Sequence, residues 1–175
     1  MAQEKLSLAN FDSKWYIPKN GAPSTHIIKP SRTDYSSICV NEYLVMKIAK
    51  LLFKDTPEVE LLTFCTDDFV CDVYCVKRFD RTIEKRQEGL VIKRVHQEDM
   101  CQAFGIMSDR KYQNYGGPMM KNIIGLLREK SFKPIEDIES ISKMFIFQYL
   151  IGNCDAHGKN YSLLNNGSLS LAPLY

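Results

Sequence analysis

The stretch Gly152-Asn153-Cys154-Asp155-Ala156-His157-Gly158-Lys159-Asn160 separates a long apolar segment from a short hairpin pattern. The apolar segment, Ile135 to Ile151, has the residue spacing of a buried helix. After the stretch, Tyr161 to Leu164 and Leu169 to Ala172 predict two strands, joined by a turn at Asn165-Asn166-Gly167. The sequence therefore predicts a helix, a polar loop and a hairpin in that order, and the loop is the candidate for chemistry.

Two side chains of this loop, Asp155 and Asn160, are separated by four residues. That spacing is typical of the catalytic loop of kinases, where the Asp accepts the proton of the attacking hydroxyl and the Asn holds Mg²⁺ on the ATP phosphates. Lys159 lies between them and is a candidate to neutralise charge on the transferring phosphoryl group. Alternatively, Asp155 and Asn160 form an ordinary turn closed by side-chain hydrogen bonds. We expect His157 to pack the loop, with catalysis as the other reading.

The residues up to about Arg81 predict a sheet with one helix. A turn at Asn20-Gly21 separates the first two β-favouring runs. The predicted elements are strands at Lys14 to Pro18 and Thr25 to Lys29, a helix that starts at Ser36 or Ser37 and runs through Leu52, and strands at Val59 to Cys65 and Phe69 to Phe79 joined by a turn at Thr66-Asp67-Asp68. We expect residues 1–81 to form a small, mainly β subdomain.

The residues from 82 to 175 predict a mainly helical subdomain. Besides the long helix, Gln97 to Phe104 and Pro118 to Arg128 have helical patterns. The stripe formed by Met144, Phe145 and Phe147 is predicted to be core rather than a cofactor contact. The polar segment Arg81 to Gln87 is predicted to join the two subdomains or to be exposed.

An ATP-anchoring cation is predicted in the first subdomain. Lys29 ends a strand, and Glu42 on the following helix is spaced to pair with it. Arg78 and Phe79 close the last strand, where the backbone would meet the adenine edge and Phe79 would pack on the base. The alternatives are a solvated surface lysine, a helix-surface glutamate and a buried aromatic that only ends a strand.

Composition excludes several classes of protein. The 175 residues, 45% of them hydrophobic, suit a soluble chain with its own core, and the net charge of +2 is too small to imply direct nucleic-acid binding. No apolar run reaches the roughly 18–20 residues of a membrane span, and the N-terminus does not have the pattern of a signal peptide. The six cysteines form no C-x-x-C pair, so we expect reduced thiols, no zinc site and a cytoplasmic location.

Nearly the whole chain resembles the HipA family of serine/threonine kinases, the toxins of bacterial toxin–antitoxin modules. Besides the Asp155 loop, the matching blocks are Ala2-Gln3-Glu4-Lys5, Trp15-Tyr16-Ile17-Pro18-Lys19, Thr25-His26-Ile27-Ile28-Lys29-Pro30, Asn41-Glu42-Tyr43, Lys77-Arg78-Phe79-Asp80-Arg81, Gln97-Glu98-Asp99-Met100-Cys101-Gln102, Gly116-Gly117-Pro118, Phe147-Gln148-Tyr149-Leu150-Ile151-Gly152 and Leu171-Ala172-Pro173-Leu174-Tyr175. The spacing of residues gives no purpose for several of these blocks.

The resemblance implies an α+β, protein-kinase-like fold of two lobes, with a small mainly β N-lobe containing one helix and a mainly α C-lobe. It implies ATP and Mg²⁺ as cofactors and a protein Ser or Thr hydroxyl as acceptor. Lys29 would bind the phosphates, Arg78 and Phe79 the adenine region, Asp155 would be the catalytic base and Asn160 a Mg²⁺ ligand. Family members are restrained by a small DNA-binding antitoxin, so any DNA contact would run through that partner.

The chain also departs from the family pattern at both ends. A phosphate-covering loop and an additional subdomain precede the matching region in the family, and a second Mg²⁺ carboxylate directly follows the block that ends at Tyr175. We therefore expect a fragment of a kinase core. The alternatives are a split or degenerate kinase fold that only binds nucleotide or a partner, and a small-molecule phosphotransferase that shares the Asp and Asn spacing.

Overall fold

The computed structural model describes residues 4–31, 35–65, 70–87 and 89–175. It divides into two compact units, the first ending at Arg94 and the second beginning at Val95. The boundary predicted from the sequence lies after Arg81. The difference is a hairpin, described below, that belongs to the first unit.

The first unit is built on a five-stranded antiparallel sheet and one helix. Its elements are β1 (Leu6–Phe11), β2 (Lys14–Tyr16), β3 (His26–Pro30), α1 (Ile38–Leu52), β4 (Val59–Cys65) and β5 (Val70–Lys77), and the strand order is β2-β1-β3-β5-β4. The predicted helix and the predicted strands at β2, β3, β4 and β5 are confirmed, whereas β1 escaped the sequence analysis. The turn predicted at residues 66–68 lies outside the described residues.

The two faces of this sheet follow the alternation of side chains along its strands. Ile27 of β3 and Tyr74 of β5 pack on the face that α1 covers, whereas Ile28 and Val73 pack on the opposite face. Because successive side chains of a strand point to opposite faces, Lys29 lies on the same face as Ile27. The strand alternation therefore turns the Lys29 side chain towards α1.

The polar segment Arg81 to Gln87, predicted to join the subdomains or to be exposed, contains a largely exposed strand. β6 (Arg81–Arg86) pairs with β7 (Gly89–Arg94) in an antiparallel hairpin. Lys93 of β7 donates across the hairpin to Glu84 at 2.5 Å, and Arg86, in the same strand as Glu84, donates to it at 3.1 Å. A two-stranded ribbon buries few apolar side chains, so the alternation that reveals other strands is weak here.

The second unit combines a three-stranded antiparallel sheet with three helices. Its elements are β8 (His96–Asp99), α2 (Met100–Ala103), α3 (Met120–Lys130), α4 (Pro134–Leu150), β9 (Ser162–Asn165) and β10 (Leu169–Leu171), and the strand order is β10-β9-β8. The helix predicted from Gln97 was wrong in its first turn, because β8 pairs with β9 and Asp99 caps a shorter helix.

Most, but not all, of the residues predicted to form the core face of the long helix α4 are buried. Ile141, Met144 and Phe147 are buried, but Phe145 is 41% exposed and Leu150 is 74% exposed. The prediction that Phe145 is core was therefore wrong, because Phe145 lies about 100° around the helix from Met144. Within the described residues, no helix combines the length and the apolar character that crossing a membrane requires.

A buried carboxylate joins the start of α4 to the hairpin. The Asp137 Oδ2 atom accepts a 2.6 Å hydrogen bond from the Ser131 hydroxyl and a 2.7 Å bond from the backbone N–H of Leu171. Asp137 is only 3% exposed, so water cannot easily replace these donors. This contact ties α4 to β10 on the far side of the intervening loop.

We expect Asp137→Ala to lower the free energy of unfolding by about 2–4 kcal/mol, because it removes the acceptor of the buried Leu171 N–H and of the half-buried Ser131 hydroxyl. The neighbouring Glu136→Ala is the matched control, since the Glu136 side chain is 72% exposed; it should cost no more than about 0.5 kcal/mol. Urea unfolding followed by circular dichroism measures both. Equal losses for the two variants would contradict the anchoring role of Asp137.

Candidate functional site

The polar loop begins where α4 is stopped by a left-handed residue. Gly152 has φ of +70°, a conformation that side chains disfavour. Its N–H donates to the Tyr149 carbonyl, and the N–H of Asn153 donates to the Gln148 carbonyl at 3.0 Å. This pair of bonds is the Schellman pattern, which ends a helix at a defined residue.

The side chain of Asn153 braces the first turn of the loop. Its Nδ2 donates to Gln148 Oε1 at 2.6 Å, and its Oδ1 accepts from the backbone N–H of Asp155 at 3.0 Å. Because Gln148 is buried in α4, the brace ties the backbone of Asp155 to the helix. The position of Asp155 is therefore determined by the end of α4.

The Asp155 carboxylate is exposed to solvent and held on one oxygen. Its side chain is 68% exposed, and Oδ1 accepts a 2.7 Å hydrogen bond from the Tyr112 hydroxyl. His157 Nε2 lies 3.5 Å from the same oxygen. An exposed carboxylate with a fixed orientation has the geometry of a general base.

Asn160 is oriented by the same loop. Its Nδ2 donates to the backbone carbonyl of Asp155 at 2.6 Å, and its own N–H donates to the carbonyl of His157 at 2.9 Å. With the amide nitrogen engaged, the Oδ1 oxygen is the atom left for another ligand. An amide oxygen is a ligand that Mg²⁺ accepts.

His157 is a buried part of the loop. It is 9% exposed, and its ring meets the Tyr112 ring edge to face at 5.2 Å between centroids. Burial, together with the positive charge of Lys111, holds the pKa of His157 below its usual value of 6.5, although Asp155 opposes this shift. The contacts of His157 are those of a packing residue.

The Lys159 side chain forms an ion pair with Asp99. Its Nζ lies 2.8 Å from Asp99 Oδ2, and this hydrogen bond raises the pKa of Lys159. The other oxygen of Asp99 accepts from the N–H of Gln102 and so caps α2. The pair joins the loop to the junction of β8 and α2.

A groove of about 300 Å³ lies beside this loop. Three aromatic rings and several amide side chains line it, and none of its lining residues is charged. They include Tyr112, Phe145, Tyr149, Gln148 and Asn153. The exposed part of the Phe145 ring lines this groove.

In the first unit, Lys29 is paired as the sequence predicts. Its Nζ forms an ion pair with Glu42 Oε1 on α1 and lies 5.4 Å from the centroid of the Tyr74 ring. The Lys29 and Glu42 side chains are 24% and 27% exposed, so the pair is accessible from one side. This is the arrangement in which a kinase lysine is held by a helix glutamate.

The Arg78 guanidinium binds Asp80 in its own segment and also donates to the Ser24 hydroxyl at 3.4 Å. Its Nε and Nη2 donate to the two oxygens of Asp80 at 2.9 and 2.7 Å, and Arg81 Nη1 also donates to Asp80. Burial alone would raise the pKa of Asp80, but the two guanidinium groups hold it below its usual value. Phe79, between them, is half-buried. The Arg78 side chain is thus a clamp on Asp80.

Comparison with known proteins gives the family. A family model described as HipA-like C-terminal domain matches residues 2–175. The chain belongs to this family. The resemblance found in the sequence is thereby confirmed, and so is the kinase-like fold.

Three similar proteins place the chain more closely. It is 37% identical over 99% of its length to a Sinorhizobium fredii protein named "Putative kinase Y4mE", and covers 40% of that protein. It is 31% identical to the serine/threonine-protein kinase toxin HipA of Shewanella oneidensis, covering 91% of this chain and 37% of the toxin. The solved complex of Shewanella oneidensis HipA with HipB and operator DNA matches with a TM-score of 0.85 and 27% identity, over 99% of this chain and 41% of that one. The chain thus spans about two fifths of its relatives' length.

The described residues of this HipA-like chain would supply at most part of a magnesium site. Asn160 offers one oriented oxygen, as described above. Among the described residues, no group of three or more His, Cys, Asp or Glu is arranged to hold a metal ion. The donor set fits an ion that takes most of its other ligands from phosphate oxygens and water, as Mg²⁺ does.

Two residues of this HipA-like site were not found from the sequence. Tyr112 and Asp99 contact the loop from 43 and 60 residues away in the chain, through Asp155 and Lys159 respectively. The sequence did carry a signal for Asp99, since Asp followed three residues later by Gln is the pattern of a helix cap. For Tyr112 the only signal was the neighbouring Gly116-Gly117-Pro118 block.

The buried His157 predicts a pH dependence of stability. A His whose pKa is lowered by folding binds fewer protons in the folded state, so its contribution is complete above pH 6.5 and is lost as the pH falls towards the lower folded value. We expect the free energy of unfolding to decrease less steeply below pH 6.5 in His157→Gln than in the unchanged protein.

Urea unfolding at several pH values between about 5 and 8 measures this slope, because that interval brackets the usual His pKa of about 6.5. His96→Gln is the control, because the His96 side chain is 67% exposed. An unchanged slope in His157→Gln would rule out burial of a neutral imidazole at this position.

Proposed function

We propose that this chain is the kinase part of an ATP-dependent serine/threonine protein kinase of the HipA type. The observation that carries the proposal is the loop from Asp155 to Asn160, in which an exposed carboxylate and an amide oxygen are both fixed by hydrogen bonds. The kinase names of its relatives support the same reading. In phosphoryl transfer the protein mainly positions the reactants and stabilises charge electrostatically. The side chains of this loop are placed for both tasks.

In this proposal Asp155 is the catalytic base. ATP would supply the transferable phosphoryl group, and Mg²⁺ would supply positive charge that stabilises it. The acceptor hydroxyl of a protein Ser or Thr donates its proton to the Asp155 carboxylate as its oxygen forms the new bond to phosphorus and the bond to ADP breaks. Asn160 contributes its Oδ1 oxygen to Mg²⁺.

Lys29 is proposed to bind the ATP phosphates, with Glu42 holding its ammonium group in place. An ion pair that leaves both side chains about one quarter exposed restrains the lysine without removing it from solvent. Phe79 is proposed to pack on the adenine. Because the Arg78 guanidinium donates to Asp80 and the Arg78 N–H donates to the Thr25 carbonyl, we propose that other backbone groups of this segment meet the adenine.

Lys159 is proposed to act from its bond with Asp99. A lysine that is 33% exposed and anchored at one end of the loop keeps a positive charge within the segment that contains Asp155. It would stabilise negative charge on the transferring group by its field. Its second task is structural, since it fixes the loop to α2.

A small DNA-binding antitoxin is proposed as the partner. The proposal rests on the Shewanella oneidensis HipA complex, which contains HipB and operator DNA. The net charge of +2 of this chain is low for a protein that binds DNA directly. We therefore propose that DNA contact runs through the partner.

We expect Asp155→Asn in the full-length gene product to reduce phosphoryl transfer by about 10²–10⁴-fold, because the amide cannot accept the hydroxyl proton. Transfer of the γ-phosphate of radiolabelled ATP to proteins of a cell extract measures the effect. Asp109→Asn is the matched control, since Asp109 is an exposed aspartate of the same unit. A wild-type rate of transfer by Asp155→Asn would contradict the proposal that Asp155 is the catalytic base. Retained ATP binding without transfer in the unchanged protein would favour a nucleotide-binding module.

We expect Lys29→Met to weaken ATP binding about tenfold or more, because the phosphates lose their cation while the helix and sheet keep their packing. Isothermal titration with ATP and Mg²⁺ gives the dissociation constant. Lys54→Met, which removes an exposed lysine just after α1, is the control. Equal affinities for the two variants would show that Lys29 does not bind phosphate.

A further inference from the structure

The segment from Lys111 to Pro118 packs directly on the catalytic loop. A Cβ on Gly117 would lie 2.6 Å from the Lys111 carbonyl oxygen, and a Cβ on Gly158 would lie 2.5 Å from the Pro118 ring. A side chain at Gly117 would therefore clash within the segment itself, whereas a side chain at Gly158 would push the loop away from Pro118. Gly117 lets the segment close on itself, and Gly158 lets the loop approach Pro118.

Backbone hydrogen bonds fold this segment into a tight turn around Tyr112. The N–H groups of Tyr115 and Gly117 both donate to the Tyr112 carbonyl, at 3.0 and 2.9 Å. Gly116 has φ of +94°, which lets the chain reverse there. Tyr112 is thereby held at its backbone, and its ring is held by the edge-to-face contact with His157.

The Tyr112 hydroxyl then reaches the carboxylate at the centre of the proposed mechanism. It donates to Asp155 Oδ1 at 2.7 Å, and His157 Nε2 lies 3.5 Å from the same oxygen. Within the described residues, Oδ2 has no recorded hydrogen bond or ion pair. The two oxygens of Asp155 are thus distinguished by their surroundings.

We infer that Tyr112 is a positioning residue for Asp155, fixing Oδ1 so that Oδ2 receives the proton of the acceptor hydroxyl. This inference rests on the proposed kinase function. A carboxylate on an exposed loop has free rotation about its side-chain bonds, and one directional hydrogen bond removes much of that freedom. The substrate proton moves to Oδ2, the hydroxyl oxygen bonds to the γ-phosphorus, and ADP leaves with the electrons of the broken bond.

The test removes only the hydroxyl, with Tyr112→Phe in the full-length gene product. We expect kcat to fall about ten- to a hundredfold while KM for ATP stays within about twofold, because orientation is lost and nucleotide binding is not. Hydrogen exchange of residues 153–160, followed by mass spectrometry without nucleotide, should become faster, because the loop loses a tether.

The matched control is Tyr115→Phe, which removes a hydroxyl from a neighbouring ring that is 69% exposed. It should change neither kcat nor exchange. A double variant separates positioning from general damage: in an Asp155→Asn background, Tyr112→Phe should cause no further loss of transfer, because Tyr112 acts through Asp155. The same fractional loss in both backgrounds would overturn the positioning role.

The outcomes also separate this inference from the kinase proposal. If Asp155→Asn is inactive and Tyr112→Phe matches Tyr115→Phe in both kcat and exchange, the positioning role is wrong and the kinase mechanism stands. If Asp155→Asn retains full transfer, the kinase mechanism is wrong and the assignment of Oδ2 falls with it. Faster exchange in Tyr112→Phe would then establish a structural tether only.

Discussion

The abrupt end of α4 is the constraint on which the site depends. A left-handed glycine turns the chain out of the helix, and the Asn153 side chain immediately ties the next residues back to buried Gln148. The loop therefore leaves a rigid helix end rather than a frayed one. Everything that Asp155 and Asn160 are proposed to do needs side chains held in fixed positions, and the helix end is where that rigidity originates.

The sequence predicted what depends on local pattern. Strand alternation and helix periodicity gave most elements, and the pairing of Lys29 with Glu42 followed from a strand lysine and a helix glutamate on one face of the sheet. The loop was recognisable because its two key residues are close in sequence. Their geometry was not, since it depends on hydrogen bonds whose partners no spacing rule identifies.

What the sequence could not give depends on contacts between distant segments. Tyr112 reaches Asp155 because Gly117 lets its own turn close and Gly158 lets the loop approach Pro118, and a glycine in a sequence does not say which residues it will meet. The hairpin of β6 and β7 was not predicted because most of its side chains are exposed, so no buried face marks the two strands. β8 was taken for helix because its residues gain strand structure only by pairing with β9, far along the chain.

The alternation of β3 has an evolutionary consequence. Side chains two residues apart share a face, so inserting or deleting one residue between His26 and Lys29 would turn the lysine to the side opposite α1 and leave Glu42 facing an aliphatic neighbour. Substitutions of similar size at the packed apolar positions of this strand keep the alternation, whereas changes of its length do not. Insertions and deletions in related sequences should therefore fall in the turns, and the length of β3 should stay constant.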